Sequence, residues 1–221
     1  MVEQMNDNKK CVVILSGGPD SAIVAYWAKT LDYQVYPLTF KYGQIAVKET
    51  FAAQKIAETL GINTKIIDIS ALRDIFNQTS SLVNRDIPLT SEFTASIIVP
   101  FRNGIFLSVA VAYALTVGAD KIFYGAHGSD EACYPDCRRE FYEAFEKAAQ
   151  LGTDQNISIC APFSGKEKAE LFKIGVELKV PLEQTWSCYL DKEKHCGQCE
   201  ACINRKKAFY KANIVDPTKY K

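Results

Sequence analysis

Cys11-Val12-Val13-Ile14-Leu15-Ser16-Gly17-Gly18-Pro19-Asp20-Ser21 joins a continuous apolar run to a glycine-rich turn. The run is β-branched in its middle, the pattern of a strand buried on both faces of a parallel sheet. Beyond the glycines, Ala22, Ile23, Val24, Ala25, Trp27 and Ala28 open a helix near Ser21. Strand, Gly-Gly turn and helix start in succession suit an anion. Glycines let backbone N–H groups approach it, the helix dipole adds partial positive charge, and Ser16 and Ser21 offer hydroxyls. The same residues also read as a tight turn with Asp20 or Ser21 as helix cap. No Lys-Ser or Lys-Thr follows the glycines, which excludes a Walker loop, and the third glycine of a dinucleotide fingerprint is missing.

Working outward, the alternation continues. Strands are expected at 34–40, 64–69, 121–125 and 157–161. Helices are expected at 47–60, with Phe51, Ile56 and Leu60 on one face, at 102–117, within 136–151, at 166–178 and at 199–212. The helix 102–117 is apolar nearly all round and reads as buried. Residues 72–100 are polar, irregular and interrupted by Pro88 and Pro100, a loop long enough to be functional or mobile. Such alternation predicts an α/β fold, a doubly wound and mainly parallel sheet, with 1–221 as a single domain. That domain includes a C-terminal helix and a C-terminal zinc-binding segment 188–202, read from its cysteines. Its ligand belongs beyond the carboxyl ends of the strands, near Ser16, Lys41, Gly125 and Pro162.

The 221 residues are 48% hydrophobic and 24% charged, an ordinary globular mix that excludes a disordered or collagen-like chain. Lys plus Arg is 26 and Asp plus Glu is 26, so there is no basic excess to advertise a nucleic-acid partner. No apolar run approaches the roughly 20 residues of a membrane span, so no membrane is expected. The stretch Met1 to Lys10 is polar and charged, with no export signal, which makes the cytoplasm the default compartment.

Four of eight cysteines are scattered; Cys188, Cys196, Cys199 and Cys202 crowd together. In a reducing compartment that cluster reads as metal ligation rather than disulfides. Four thiolates fit one structural Zn²⁺, and the C-x-x-C-x-x-C spacing also suits an iron–sulfur cluster. His195 then reads as an exposed loop residue, and Arg205-Lys206-Lys207 as a solvated helix face.

The Ser-Gly-Gly-x-Asp-Ser loop resembles that of the PP-loop ATP pyrophosphatases, the adenine nucleotide alpha hydrolase-like, Rossmann-like enzymes that cleave ATP between its α- and β-phosphates. Val99-Pro100-Phe101-Arg102-Asn103, Tyr134-Pro135-Asp136-Cys137-Arg138 and Thr185-Trp186-Ser187-Cys188-Tyr189 extend the likeness. Together these motifs resemble the 7-cyano-7-deazaguanine synthase family over residues 11–212. The wording departs at Ile45 and Ala46 and between Gly125 and Cys133.

The resemblance implies a C–N ligase of queuosine or archaeosine biosynthesis that converts 7-carboxy-7-deazaguanine, ammonia and ATP into the 7-nitrile, preQ0. It implies ATP contacts at Leu15, Ser16, Gly17, Gly18, Pro19, Asp20, Ser21, Lys41, Arg102 and Asn103. Asp20 beside phosphates calls for Mg²⁺ between them. Lys168 matches a family lysine, and Asp20, Lys168 and Arg102 carry the catalytic expectation. Tyr42, Gln44, His127, Tyr134, Asp136 and Arg138 are the expected substrate residues, with Asp136 on the guanine-like edge. Cys137 reads as a packed thiol or a thioester-forming one. A homodimer is expected, through Ala208, Phe209, Tyr210, Ile214 and Val215. Competing readings are a relative that stops at the amide or modifies another acceptor, an RNA thiolation enzyme, and a zinc-ribbon nucleic-acid module.

Overall fold

A computed structural model describes residues 9–221. The start read as lacking an export signal therefore lies outside the described residues for its first eight positions. Five strands form one sheet: β1 (Lys10–Ile14), β2 (Gln34–Lys41), β3 (Lys65–Asp68), β4 (Lys121–Phe123) and β5 (Ser158–Cys160). Their spatial order is β3-β2-β1-β4-β5 and every pairing is parallel. The chain runs outward one way from β1 and then returns to β4 on its other side. The expected doubly wound sheet is thus present, with its switch point between β1 and β4.

Among the described residues eight α-helices accompany the sheet: α1 (Pro19–Thr30), α2 (Lys48–Thr59), α3 (Arg73–Phe76), α4 (Arg102–Val117), α5 (Gly128–Glu131), α6 (Arg139–Thr153), α7 (Lys168–Glu177) and α8 (Glu200–Ala212). Alternate residues of β1 explain the two layers. Val12 and Ile14 pack with Phe106, Leu107 and Ala110 of α4, whereas Cys11 and Val13 pack with Ile23 and Val24 of α1, Ile56 of α2, Phe172 of α7 and Phe209 of α8. Both faces are buried, which is why β1 is a continuous apolar run.

Local differences from the sequence reading have packing causes. Phe51 does not join Ile56 on the buried face of α2 and is 58% exposed. The segment Ala95–Val117 is long and apolar enough by composition to cross a membrane, which corrects the expectation that no such run exists. Here its helical part buries Phe106, Leu107, Ala110 and Ala114 against the sheet. The irregular stretch 72–100 is packed rather than loose. Ser80, Ser81 and Val83 are fully buried, and the Ser81 N–H donates to the Ser96 carbonyl at 2.7 Å.

The cysteine segment is bolted down by Arg205. Its side chain is 0% exposed, so it is not part of a solvated face. The guanidinium donates to Thr218 Oγ1, Thr185 Oγ1, Ser187 Oγ and the Leu182 carbonyl at 2.6–3.0 Å. These neutral acceptors tie α8 to the 3-10 turn Leu182–Gln184 and the segment after it, and to the C-terminal tail. His195 is likewise buried rather than exposed. Its ring lies against Trp186, 4.3 Å between centroids, and Nε2 accepts the Ser187 N–H at 3.1 Å. That contact makes it a brace for the loop, not a competing ligand.

Candidate active site

The turn after β1 is shaped by two demands on glycine. Gly17 has φ +89°, and a Cβ there would lie 2.1 Å from the Glu49 carbonyl oxygen. Gly125, just past β4, lies so close to α1 that a Cβ would sit 2.9 Å from the Ser21 amide nitrogen. Neither position accepts a side chain. Between them, the Ser16 and Ser21 hydroxyls lie 3.0 Å apart, and the Ser16 N–H donates to Ser21 Oγ. Pro19 opens α1 and no side chain caps that helix. Its first-turn amides and positive dipole end are therefore available to an anion.

A cluster of charge sits at the same end. Lys168 Nζ donates to Asp20 Oδ2 at 2.9 Å and lies 3.5 Å from His127 Nε2. His127 Nε2 is also 3.4 Å from Asp130 Oδ2. Lys168 is the first residue of α7, where Glu167 and Glu170 form a capping box that fixes the helix start. Burial alone would raise the Asp20 pKa, but the Lys168 ammonium and His127 outweigh it and hold the carboxyl below its usual value. Burial disfavours the Lys168 charge too, and Asp20 reverses that, raising it. Two buried polar atoms of this cluster lack any hydrogen-bond partner, Asp20 Oδ1 and His127 Nδ1. Buried polar groups are almost always satisfied, so these point to a ligand or ion.

Two chambers flank the cluster. The outer one, about 360 Å³, is lined by Gly18, Pro19, Asp20, His127, Lys168, Trp186, Glu200 and Lys207 among others. The inner one, about 250 Å³, lies under the ends of β1 and β4. Its walls include Ile14, Leu82, Ile97 and Phe106, and its polar groups include Ser16, Ser21, Tyr42, Glu49, Arg102, Asn103 and Tyr124. Asp20, Asp130, Tyr134 and Tyr189 line both. The outer chamber thus sets Lys168, Lys207 and the N-terminus of α1 among the carboxylates of Asp20, Asp130 and Glu200, and the inner one is a slot of heterocycle size with apolar walls and polar groups at its rim.

Of the expected residues, Ser16, Asp20, Ser21, Tyr42, Arg102, Asn103 and Tyr134 line the inner chamber, while Gly18, Pro19, His127 and Lys168 line the outer one. Arg102 donates to Tyr42 Oη at 3.2 Å, so these two form one unit. Leu15 is fully buried, with its carbonyl accepting the Thr39 hydroxyl at 2.7 Å. Besides Leu15 and Gly17, which shape the turn from behind, four expected residues line neither chamber. Lys41 is exposed at the end of β2. Gln44 folds back on its own turn, accepting the Tyr42 N–H and donating to the Phe40 carbonyl. Arg138 is exposed and donates to the Glu131 carbonyl. Asp136 does sit beside Asn103, but Asp136 Oδ2 accepts the Asn103 backbone N–H at 2.9 Å and so caps α4 from across the fold. Cys137 is a packed thiol. It accepts a hydrogen bond from Asn103 Nδ2 at 3.3 Å, and burial pushes its pKa up, which disfavours the thiolate a thioester would need.

The structure adds residues that spacing did not single out. Asp130 and Tyr189 sit at the junction. Tyr124 Oη is buried without a partner. Glu49 enters the inner chamber from the first turn of α2.

The four clustered cysteines converge. Their Sγ atoms all lie within 4.8 Å of one another, and Cys196 Sγ is 3.9 Å from Cys202 Sγ. Tetrahedral ligands about 2.3 Å from one Zn²⁺ would sit roughly 3.8 Å apart, so the set fits a single ion. The N–H groups of Leu190, Cys196, Gln198 and Cys199 donate to Cys188 or Cys196 sulfur at 3.3–3.4 Å, as suits thiolates.

The family model described as queuosine biosynthesis protein QueC matches residues 10–213. The chain belongs to that family. A 7-cyano-7-deazaguanine synthase from Caldicellulosiruptor saccharolyticus is 40% identical over 214 residues, covering 96% of this chain and 95% of the relative. One from Thermoplasma acidophilum is also 40% identical, covering 97% of this chain and 93% of its own. Among solved structures, NMN synthetase from Francisella tularensis aligns with a TM-score of 0.54 at 16% identity, over 95% of this chain and 79% of that one. A 4-thiouridine synthetase–RNA complex with bound ATP aligns with a TM-score of 0.55 at 17% identity, over 96% of this chain and 47% of that one. These two likenesses carry the fold alone. The matched residues 10–213 span both chambers and the cysteine cluster.

Proposed function

We propose that the chain is an ATP-dependent C–N ligase making 7-cyano-7-deazaguanine (preQ0) from 7-carboxy-7-deazaguanine and ammonia, in queuosine biosynthesis. Full-length identity of 40% to relatives named for that synthesis supports it. The observation that carries it is the Asp20–Lys168–His127 cluster at the mouth of α1, set between a chamber at that helix N-terminus and a heterocycle-sized one.

A carboxylate oxygen is a poor leaving group, and ammonia cannot displace it unaided. Attack of that oxygen on the α-phosphorus of ATP converts it into part of AMP and releases pyrophosphate. Ammonia then gives the amide. A second activation at the amide oxygen lets AMP leave again, with the nitrile behind it. The chain's contribution is placement and charge. The glycine turn and α1 amides hold phosphate oxygens, and Lys168, steered by Asp20, neutralises charge at phosphorus. Arg102 offers a planar donor set to a phosphate or carboxylate. Asp20 Oδ1, unpartnered and buried, and Asp130 across the junction are the groups that fit Mg²⁺, which when bound would offset phosphate charge.

The four thiolates fit a structural Zn²⁺, with no open position for chemistry. In this reading residues 1–221 act as one unit in the cytoplasm on small-molecule substrates, without nucleic acid. A homodimer is part of it, on a narrower patch than the sequence suggests. Ala208 and Phe209 are buried, which leaves Tyr210 and Val215, each 88% exposed.

The deciding experiment incubates the protein with ATP, Mg²⁺, ammonium and 7-carboxy-7-deazaguanine, with mass spectrometry of the products. The nitrile is expected. A product that remains the amide would move the chain to an amide-forming relative, and no AMP at all would remove the adenylation reading.

A further inference from the structure

The reaction proposed above needs a nitrogen nucleophile, and nothing so far receives it. At neutral pH that nitrogen arrives as ammonium, a cation that must be bound beside the acyl carbon and relieved of a proton. Three carboxylates at or near the site already have work: Asp20 holds Lys168, Asp130 faces His127, and Asp136 caps α4. Glu49 is different. Its side chain lines the inner chamber, and among the described residues it takes part in no hydrogen bond and no ion pair. Arg102, whose charge opposes the burial that pushes the Glu49 carboxyl up to about 7, donates to Tyr42 Oη instead, and a bound cation would favour the Glu49 carboxylate further. A part-buried carboxylate left in this state is an open acceptor for an N–H donor.

We propose that Glu49 is the ammonium site of this enzyme. The reading rests on the adenylating function above. Position decides between the two N–H donors the chemistry offers. The Glu49 carbonyl oxygen occupies the space where a Gly17 Cβ would be, so its side chain starts against the phosphate-binding turn. The acyl carbon under attack is one oxygen away from the α-phosphorus, hence near that turn. The amino edge of the deazaguanine lies at the opposite end of the two-ring system from its carboxyl carbon, and so away from the turn. Glu49 is therefore placed for the nucleophile. In the step, the Glu49 carboxylate takes one proton from ammonium. The nitrogen lone pair attacks the acyl carbon. The C–O bond to AMP breaks with its electron pair going to AMP, and a second N–H proton is lost to water as the amide forms.

The test separates the half-reactions. Substrate-dependent exchange of labelled pyrophosphate into ATP reports adenylation and needs no ammonia. In Glu49→Gln that exchange is expected to persist, while the KM for ammonium rises about tenfold or more, the loss of one charge-assisted contact. Hydroxylamine is uncharged at neutral pH and needs no anion to hold it, so its use should change far less than that of ammonium. Glu49→Asp should recover part of the ammonium affinity. The proposal is overturned if the ammonium KM is unchanged, if hydroxylamine and ammonium fall together, or if exchange falls in parallel with product, which would mark Glu49 as a support for the turn. Absence of exchange in the unsubstituted protein would instead remove the adenylation reading itself.

Discussion

Asp20 does two things that a reading of spacing could not separate. One oxygen holds Lys168 at 2.9 Å, and the other is buried and unpartnered. Asp20→Asn keeps the shape but removes the charge that steers the lysine. Adenylation should fall by about 10²-fold or more, as when a preorganised charge contact is lost at a reacting centre, measured by pyrophosphate exchange. The same pair makes a pH prediction. The native Asp20 pKa lies below its ordinary value, because Lys168 and His127 outweigh burial. Its contribution to stability is therefore present above the ordinary carboxylate value of about 4 and is lost as pH falls through the lower native value. The melting-temperature gap between the protein and Asp20→Asn should be present at neutral pH and close in acid. A gap that persists unchanged in acid would mean that the ion pair contributes nothing to stability. Asp20, Ser16 and Ser21 were legible because a turn motif is local. Glu49, Asp130 and Tyr189 were not, because each reaches the site from a different segment.

At the scale of elements, the nucleotide turn depends on α2 as much as on its own glycines. Gly17→Ala would force a side chain into positive φ and into the Glu49 carbonyl. A cost of roughly 1–3 kcal/mol is expected from strain alone, with loss of ATP binding, readable by denaturant melts and by nucleotide titration. The cysteine segment reaches the same turn, since the Trp186 N–H donates to the Gly17 carbonyl at 2.9 Å and Cys188 follows two residues later. Metal analysis is expected to find about one Zn²⁺ per chain. Cys199→Ala should lose it and lower the melting temperature, because metal-binding free energy is folding free energy. Iron with labile sulfide would overturn the zinc assignment. Arg205→Ala removes four hydrogen bonds and opens a void, so a loss of about 3 kcal/mol or more is expected in chemical denaturation. The strands and the longer helices were read within two or three residues, since apolar period and glycine stops are local signals, whereas the one-turn helices α3 and α5 are too short to carry such a period and were not expected. Arg205 and His195 were misread as exposed because only the C-terminal tail and the approach to Cys188, folded over them, bury them.

For the whole molecule, the stoichiometry is the sharpest check. Two oxygens leave the substrate carbon and each leaves as AMP, so AMP and nitrile should appear at about two to one, with the amide as a transient that is itself accepted with ATP. One AMP per product with the amide persisting would refute the nitrile assignment. Light scattering should find a species larger than 24.7 kDa if Tyr210 and Val215 are covered by a second copy.

What the sequence determined by itself is what local chemistry dictates. A β-branched run buried on both faces gives a parallel strand, Ser16 to Ser21 give an anion-binding turn, and four cysteines at short spacing give a metal-ligand set. What only the tertiary structure decided is which distant groups share a cavity and which polar atoms are already spent. Asp136, Gln44 and Arg138 carry the right chemical groups, yet backbone partners occupy them or the surface holds them. Glu49 carries no motif, yet α2 sets it against Gly17 with its carboxylate open. The reason is physical: hydrogen-bond satisfaction and burial belong to contacts between segments far apart in the chain, and the order of residues does not encode them locally.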